Sequence, residues 1–192
     1  MADNRPKSRY IVWLLLTLPA LWITARYLTD VVSYGQVIHG TGQWSVGILL
    51  ATLAVTPLRR LFPQAGWTRK LMAYRRAMGV ASFGYAALHT VVYVQRKWGS
   101  GLIQSEAVEP AYLTGWIALI IFLILALTSN NRSVRAFGRS WKALHRTIYI
   151  ATALTFAHWI LATFNPVFAW VCLGGLILIE NVRLMRRPKP SA

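Results

Sequence analysis

Acidic side chains are scarce in this sequence of 192 residues, which has 5 Asp and Glu against 21 Lys and Arg and a formal net charge of +16. A basic excess of this size indicates nucleic acid, an acidic partner or a membrane surface. None of the recognition motifs of nucleic-acid-binding proteins is present, so we expect no nucleic-acid partner. The lipid bilayer is the partner that the rest of the sequence favours.

Cysteine is almost absent as well. Cys172 is the only one, so no disulfide can form within the chain, and without a CxxCH motif haem cannot be attached covalently in the c-type manner. The sequence also lacks a G-x-G-x-x-G motif and a P-loop. The sequence therefore predicts no nucleotide-binding domain, and whether the chain is itself an enzyme stays open.

Long apolar runs with few charged residues make up much of the sequence. Hydrophobic residues make up 56% of the sequence, and the mean hydropathy is +0.44. Several nearly uncharged runs approach the ~20 residues that cross ~30 Å of hydrocarbon. We predict an all-α, polytopic membrane protein that forms a six-helix transmembrane bundle. Its single domain covers residues 1–192, with spans at about 10–28, 44–61, 77–95, 112–128, 146–164 and 168–184.

Basic residues cluster in alternate connections between these spans. All but Arg26, Arg96 and Lys97 fall before span one, between spans two and three, between spans four and five, or after span six. Positive-inside bias places those connections in the cytoplasm. We therefore predict a multi-pass protein of the bacterial inner membrane with both termini cytoplasmic.

Two histidines lie at matched depth in spans of the same direction. His89 follows Arg76 by the same number of residues as His158 follows His145, which places each about 20 Å from its cytoplasmic end. Ionisable residues inside the bilayer are costly and are therefore candidates for function. Two neutral imidazoles at one level can take both axial positions of a haem iron. A proton relay in a small proton-coupled transporter or channel, or plain interhelical hydrogen bonding, stays open as the alternative.

The other two histidines are harder to interpret. His145 begins span five and could ligate a second haem, lie at the interface, or bind a haem propionate or a flavin phosphate. Arg76 is level with it on span three and cannot be a ligand. Arginines of the basic loop 59–76 could hold a flavin phosphate, since guanidinium binds phosphate in a bidentate way. His39 is expected to lie in the loop before span two.

Two sets of motifs surround these histidines. They are Arg75-Arg76-Ala77-Met78-Gly79, Ala87-Leu88-His89 and Tyr93 in span three, and Trp141, Leu144-His145, Tyr149 and Ala157-His158 around span five. These motifs resemble those of a known family, the haem-binding membrane subunit of the periplasmic protein-methionine-sulfoxide reductase system. The similarity covers nearly the whole chain and extends more distantly to the ferric-reductase-like transmembrane domain of NADPH oxidases.

This resemblance implies a b-type cytochrome subunit that uses haem b, with one haem or two, and in some members FMN. Electrons would come from the quinone pool or a cytoplasmic flavin reductase and pass to a periplasmic molybdopterin-containing methionine sulfoxide reductase, for protein repair. His89, His145 and His158 match the family's haem-associated histidines. The wider group uses four histidines in two pairs. Here Arg75 or Arg76 stands near the place of the fourth, which leaves His89 and His158 as the better pair.

Overall fold

The structure is a computed structural model that describes residues 5–185, with side chains described for residues 10–181. Every regular element in that range is an α-helix, and none is a strand. In chain order the helices are α1 (Arg5–Leu28), α2 (Tyr34–Leu61), α3 (Gly66–Lys97), α4 (Leu102–Ala107), α5 (Pro110–Leu127), α6 (Asn131–Phe137), α7 (Arg139–Arg146), α8 (Ile148–Ala162) and α9 (Val167–Met185).

Four of these helices are long and apolar enough to cross a membrane: α1 from Tyr10, α2, α3 and α5. Helix α9 contributes a shorter apolar stretch, Val167–Asn181. Helix α8 has 15 residues, or about 22 Å of rise. The prediction of an all-helical, multi-pass membrane protein is thus confirmed, whereas the six-span count stays a prediction.

Helix α2 begins earlier than the sequence suggested. Ser33 and Gln36 form a capping box, in which the Ser33 side chain accepts from the Gln36 backbone and the Gln36 side chain accepts from the Ser33 backbone. The cap starts the helix at Tyr34, so the expectation that His39 lies in a loop was wrong. The glycines beside His39 had indicated a loop, but in the structure they lie on a helix that is packed closely.

Two other element ends differ from the predicted spans. Helix α3 begins at Gly66 rather than near 77 and has 32 residues, so its length of about 48 Å exceeds the hydrocarbon thickness. The predicted fifth span, 146–164, corresponds to α8, which begins at Ile148, and the residues before it form a separate helix, α7, that ends at Arg146. His145 and His158 therefore lie on separate helices.

The core forms where two helix pairs meet, α2 with α3 and α5 with α8. In the first pair Ser45 and Ser82 each donate their hydroxyl to the other's backbone carbonyl, at 3.0 and 2.9 Å. This reciprocal contact holds the two backbones close together without a bulky side chain between them. The two pairs then share one buried cluster of Leu49, Leu53, Ala118, Phe122 and Ala151.

Helix α1 packs on the outside of this arrangement. Its Trp13, Leu16 and Ala20 contact the buried Tyr85 and its neighbours, and the Tyr85 hydroxyl donates to the Leu16 carbonyl at 2.9 Å. The opposite side of α1 exposes large apolar side chains such as Leu14 and Leu18. An apolar face of this kind suits contact with lipid.

Candidate functional site

His89 of α3 and His158 of α8 face each other between the two helix pairs. Their ring centroids are 6.2 Å apart, and the ring planes stand at 87°. Both side chains are partly buried. The depth match read from the sequence therefore corresponds to a real juxtaposition of two imidazoles.

Each imidazole is tied to a backbone carbonyl of a neighbouring helix. His89 Nδ1 donates to the Ile38 carbonyl at 2.8 Å, and His158 Nδ1 donates to the Ala111 carbonyl at 2.7 Å. A carbonyl can only accept, so Nδ1 carries the hydrogen in both rings. The tautomer is thereby fixed, and Nε2 of each ring keeps the lone pair that a metal ion requires.

Two glycines give the rings room to reach these carbonyls. A Cβ at Gly115 would lie 2.8 Å from His158 Nδ1, and a Cβ at Gly42 would lie 3.3 Å from His89 Nδ1. The first distance is a clash and the second a tight contact, so the imidazoles occupy space that any larger residue would fill.

The two halves of the site follow one pattern. The carbonyl that accepts from each histidine lies four residues before the glycine, as Ile38 does before Gly42 and Ala111 before Gly115. Each glycine also follows a threonine. These two glycines are not among the residues predicted from the sequence, although the repeated Thr-Gly pair is a signal that could identify them.

The spacing of the two rings fits a metal ion between them. Two nitrogen–metal bonds of about 2.0 Å, plus about 1.2 Å from each ring centre to its nitrogen, correspond to a centroid separation of about 6.4 Å. The observed separation of 6.2 Å is close to this value. Among the described side chains no group of three or more His, Cys, Asp or Glu converges. A metal ion between the two rings would therefore have His89 and His158 as its only ligands of these residue types among the described side chains.

A cavity of about 330 Å³ surrounds the histidine pair, within the range of cofactor pockets. Its inner end is apolar, with Val46, Ala118 and Phe122. The opposite end, toward the C-terminus of α3 and called the mouth below, is lined by three tyrosines, one each from α2, α3 and α5: Tyr34, Tyr93 and Tyr112. The cavity is thus apolar at one end and lined by phenol groups at the other.

His145 lies apart from this pair. Its ring stacks on Trp141, with centroids 3.9 Å apart and planes at 25°, and its Nε2 lies 3.1 Å from the Thr128 hydroxyl. The Trp141 indole also donates to the Thr128 carbonyl at 2.9 Å. Burial lowers the pKa of His145, and the positive charge of Arg76 lowers it further.

The two arginines of α3 belong to the same end of the bundle as His145. Arg75 is half-buried and its Nε donates to the Thr52 carbonyl at 3.2 Å. Arg76 is exposed, and its guanidinium donates to the Asn131 side chain at 2.7 Å. The structure therefore brings His89 and His158 together and places His145, Arg75 and Arg76 in a second region.

The fold and this site define a class: integral membrane proteins that hold two imidazoles across an apolar cavity between helices. Residues 41–156, which include His89 and end two residues before His158, match the family described as ferric reductase like transmembrane component. The protein-methionine-sulfoxide reductase heme-binding subunit MsrQ of Brucella ovis is 35% identical over 200 residues, covering 96% of this chain and 88% of that protein. The MsrQ proteins of Brucella abortus (strain S19) and Brucella melitensis biotype 2 give the same values.

The chain belongs to the ferric-reductase-like transmembrane family, within the group formed by the MsrQ proteins. The resemblance drawn from the sequence motifs is confirmed.

Proposed function

We propose that this protein is a b-type cytochrome subunit of the membrane. It would move electrons from a quinol or a cytoplasmic flavin reductase to a periplasmic molybdopterin-containing methionine sulfoxide reductase, and so serve protein repair. The relatives that are similar to this chain in sequence are named as heme-binding subunits of a protein-methionine-sulfoxide reductase. The observation that carries the proposal for this chain is the pair of facing imidazoles at 6.2 Å.

The residues of the site would act in distinct ways. His89 and His158 hold the haem iron through Nε2, and the Ile38 and Ala111 carbonyls fix the two rings in the ligating tautomer. The apolar inner end of the cavity excludes water and accepts the face of the macrocycle. When bound, haem supplies reversible one-electron transfer, which no side chain of the site provides.

Topology is the second part of the proposal. Helices α8 and α9 serve as the fifth and sixth spans of a single domain in the bacterial inner membrane. The clustering of Lys and Arg in alternate connections supports cytoplasmic termini. This orientation directs the mouth of the histidine cavity toward the periplasm, where the acceptor protein lies, and the His145 region toward the cytoplasm.

The cytoplasmic region is where we propose an additional cofactor, either FMN or a second haem. Arg76 is exposed there and within electrostatic range of His145, and Arg75 lies in the preceding position of α3. Guanidinium groups suit a phosphate or a propionate. To ligate iron, however, His145 would have to give up its contact with the Thr128 hydroxyl.

A pyridine haemochrome assay on the detergent-purified protein, with protein quantification, tests the haem proposal. We expect about one haem b per chain for the histidine pair, and loss of the same low-spin spectrum in His89→Ala and His158→Ala. His39→Ala is the matched control, because His39 lies at the cavity with an exposed side chain and no place in the pair. Its spectrum should be unchanged.

A colourless protein from haem-sufficient cells would end the proposal. Substrate-dependent proton flux in vesicles of that colourless protein would then identify the alternative, a small proton-coupled transporter or channel with His89 and His158 as a relay. Retention of a full low-spin spectrum in both alanine variants would show instead that the haem has other ligands.

A further inference from the structure

One face of α3 runs from the histidine pair to the mouth of the cavity. His89, Tyr93 and Lys97 are spaced at four and eight residues, so they lie along the same side of the helix. Lys97 Nζ lies 5.1 Å from the Tyr93 ring centroid and 5.4 Å from that of Tyr112. Because both tyrosines line the cavity, only their aromatic rings separate the Lys97 ammonium group from it.

A second cation flanks the same mouth. The Arg96 guanidinium lies 5.9 Å from the ring centroid of Tyr34, the third tyrosine of the mouth. Glu106, from the short helix α4, is ion-paired with Lys97 and accepts from the Tyr93 hydroxyl at 2.7 Å. The hydrogen bond from Lys97 lowers the pKa of Glu106, so this carboxylate is ionised at neutral pH. Glu106 thus pairs with Lys97, whereas the Arg96 guanidinium lies over the Tyr34 ring.

The distance from the histidines to these cations suits a haem. Arg96 and Lys97 follow His89 by seven and eight residues, or about 10–12 Å along the axis. That span is comparable to the reach from a haem iron to the two propionates on one edge of the macrocycle. At the inner end, Val46, Ala118 and Phe122 would leave ionised carboxylates unsatisfied.

We propose that Arg96 and Lys97 bind the haem propionates and so fix which edge of the macrocycle faces the mouth of the cavity. This inference rests on the proposed function, because it requires haem between His89 and His158. Arg96 and Lys97 are positioning residues: they set the in-plane orientation of the macrocycle, while the imidazoles hold its iron. In this arrangement Glu106 shares Lys97 with a propionate.

Binding of two ligands to the apoprotein in nanodiscs tests this assignment: haem, and haem dimethyl ester, whose propionates cannot ionise. A charge-assisted hydrogen bond to a carboxylate corresponds to a loss of about 10- to 100-fold in affinity when it is removed. The Arg96→Met/Lys97→Met double variant should lose that factor for haem and bind the diester as the wild type does. The wild type should prefer haem over the diester, and the double variant should not.

Two further variants separate this role from general damage. Arg26→Met removes another cation that lies over an aromatic ring, Trp22, at 5.7 Å, and it should leave both affinities unchanged. Glu106→Gln breaks the ion pair but frees Lys97 for the propionate, so it should keep the preference for haem.

The outcomes are distinguishable. The inference would be overturned if the double variant lost affinity equally for haem and for the diester, or lost affinity for neither. It would also be overturned if Glu106→Gln lost the preference for haem as the double variant does. In all these cases the wild type still binds haem and the proposed function stands. If the wild type binds neither ligand with a bis-imidazole spectrum, the proposed function itself fails.

Discussion

Adding one methyl group at Gly115 should empty the histidine site. A Cβ there would lie 2.8 Å from Nδ1 of His158, 3.1 Å from Cε1 and 3.2 Å from Cγ, so the imidazole must move. The movement breaks its 2.7 Å hydrogen bond to the Ala111 carbonyl. Loss of such a partner behind a metal ligand typically costs 10–100-fold in affinity, and the overpacking itself costs about 1–3 kcal/mol.

The same substitution at two other glycines gives a graded series. At Gly42 the new Cβ would lie 3.3 Å from His89 Nδ1, so Gly42→Ala should cause a smaller loss; at Gly84 nothing lies within 4 Å. Alanine is normally favoured over glycine inside a helix by about 0.5–1 kcal/mol, so Gly84→Ala should fold and bind at least as well as the wild type.

Haem content per chain, measured after titration of each apoprotein with haem, is the assay. We expect the affinity for haem to be the same in the wild type and Gly84→Ala, lower in Gly42→Ala and lowest in Gly115→Ala. Wild-type affinity in Gly115→Ala would refute the reasoning, since it would mean that His158 does not need the position seen here.

Two other predictions use different properties of the site. The His89 and His158 ring planes are nearly perpendicular, so imidazoles that held a haem iron in this orientation would interact with different d orbitals of the iron. The oxidised, haem-loaded protein should then give a highly anisotropic low-spin EPR signal, and a rhombic low-spin spectrum would contradict this geometry. The lowered pKa of His145 means that the unfolded chain binds more protons than the folded one near its ordinary pKa of about 6.5. The contribution of His145 to folding stability is therefore complete above that pH. It is lost as the pH falls through the lower pKa that His145 has in the folded protein. Wild type should lose more thermal stability than His145→Gln on acidification from pH 7 to 5, and equal losses would count against this cause.

The histidine pair could be predicted because depth in a membrane helix follows directly from residue number. His89 and His158 were each counted from a basic residue at the same side, and a constant rise per residue converted the count into a level. The count does not depend on where α3 begins, so the error in the predicted start of α3 does not change the level predicted for His89. The number of residues does not give the direction in which each side chain points around its helix axis, and only the structure shows that the two rings face each other.

The glycines and the helical position of His39 could not be found in the same way. His39-Gly40-Thr41-Gly42 has the composition of a loop, and its helical state depends on the cap at Ser33 and on packing against α3. The need for glycine at 42 and 115 arises from side chains that lie far away in sequence. The break between α7 and α8 at Thr147 likewise follows from no residue that usually ends a helix.

Each helix pair contains a complete half of the imidazole site: a histidine on one helix, and on its partner the carbonyl that orients it and the glycine that admits it. The orientation of each imidazole is therefore set inside its own helix pair, and only the association of the two pairs completes the two-ligand arrangement.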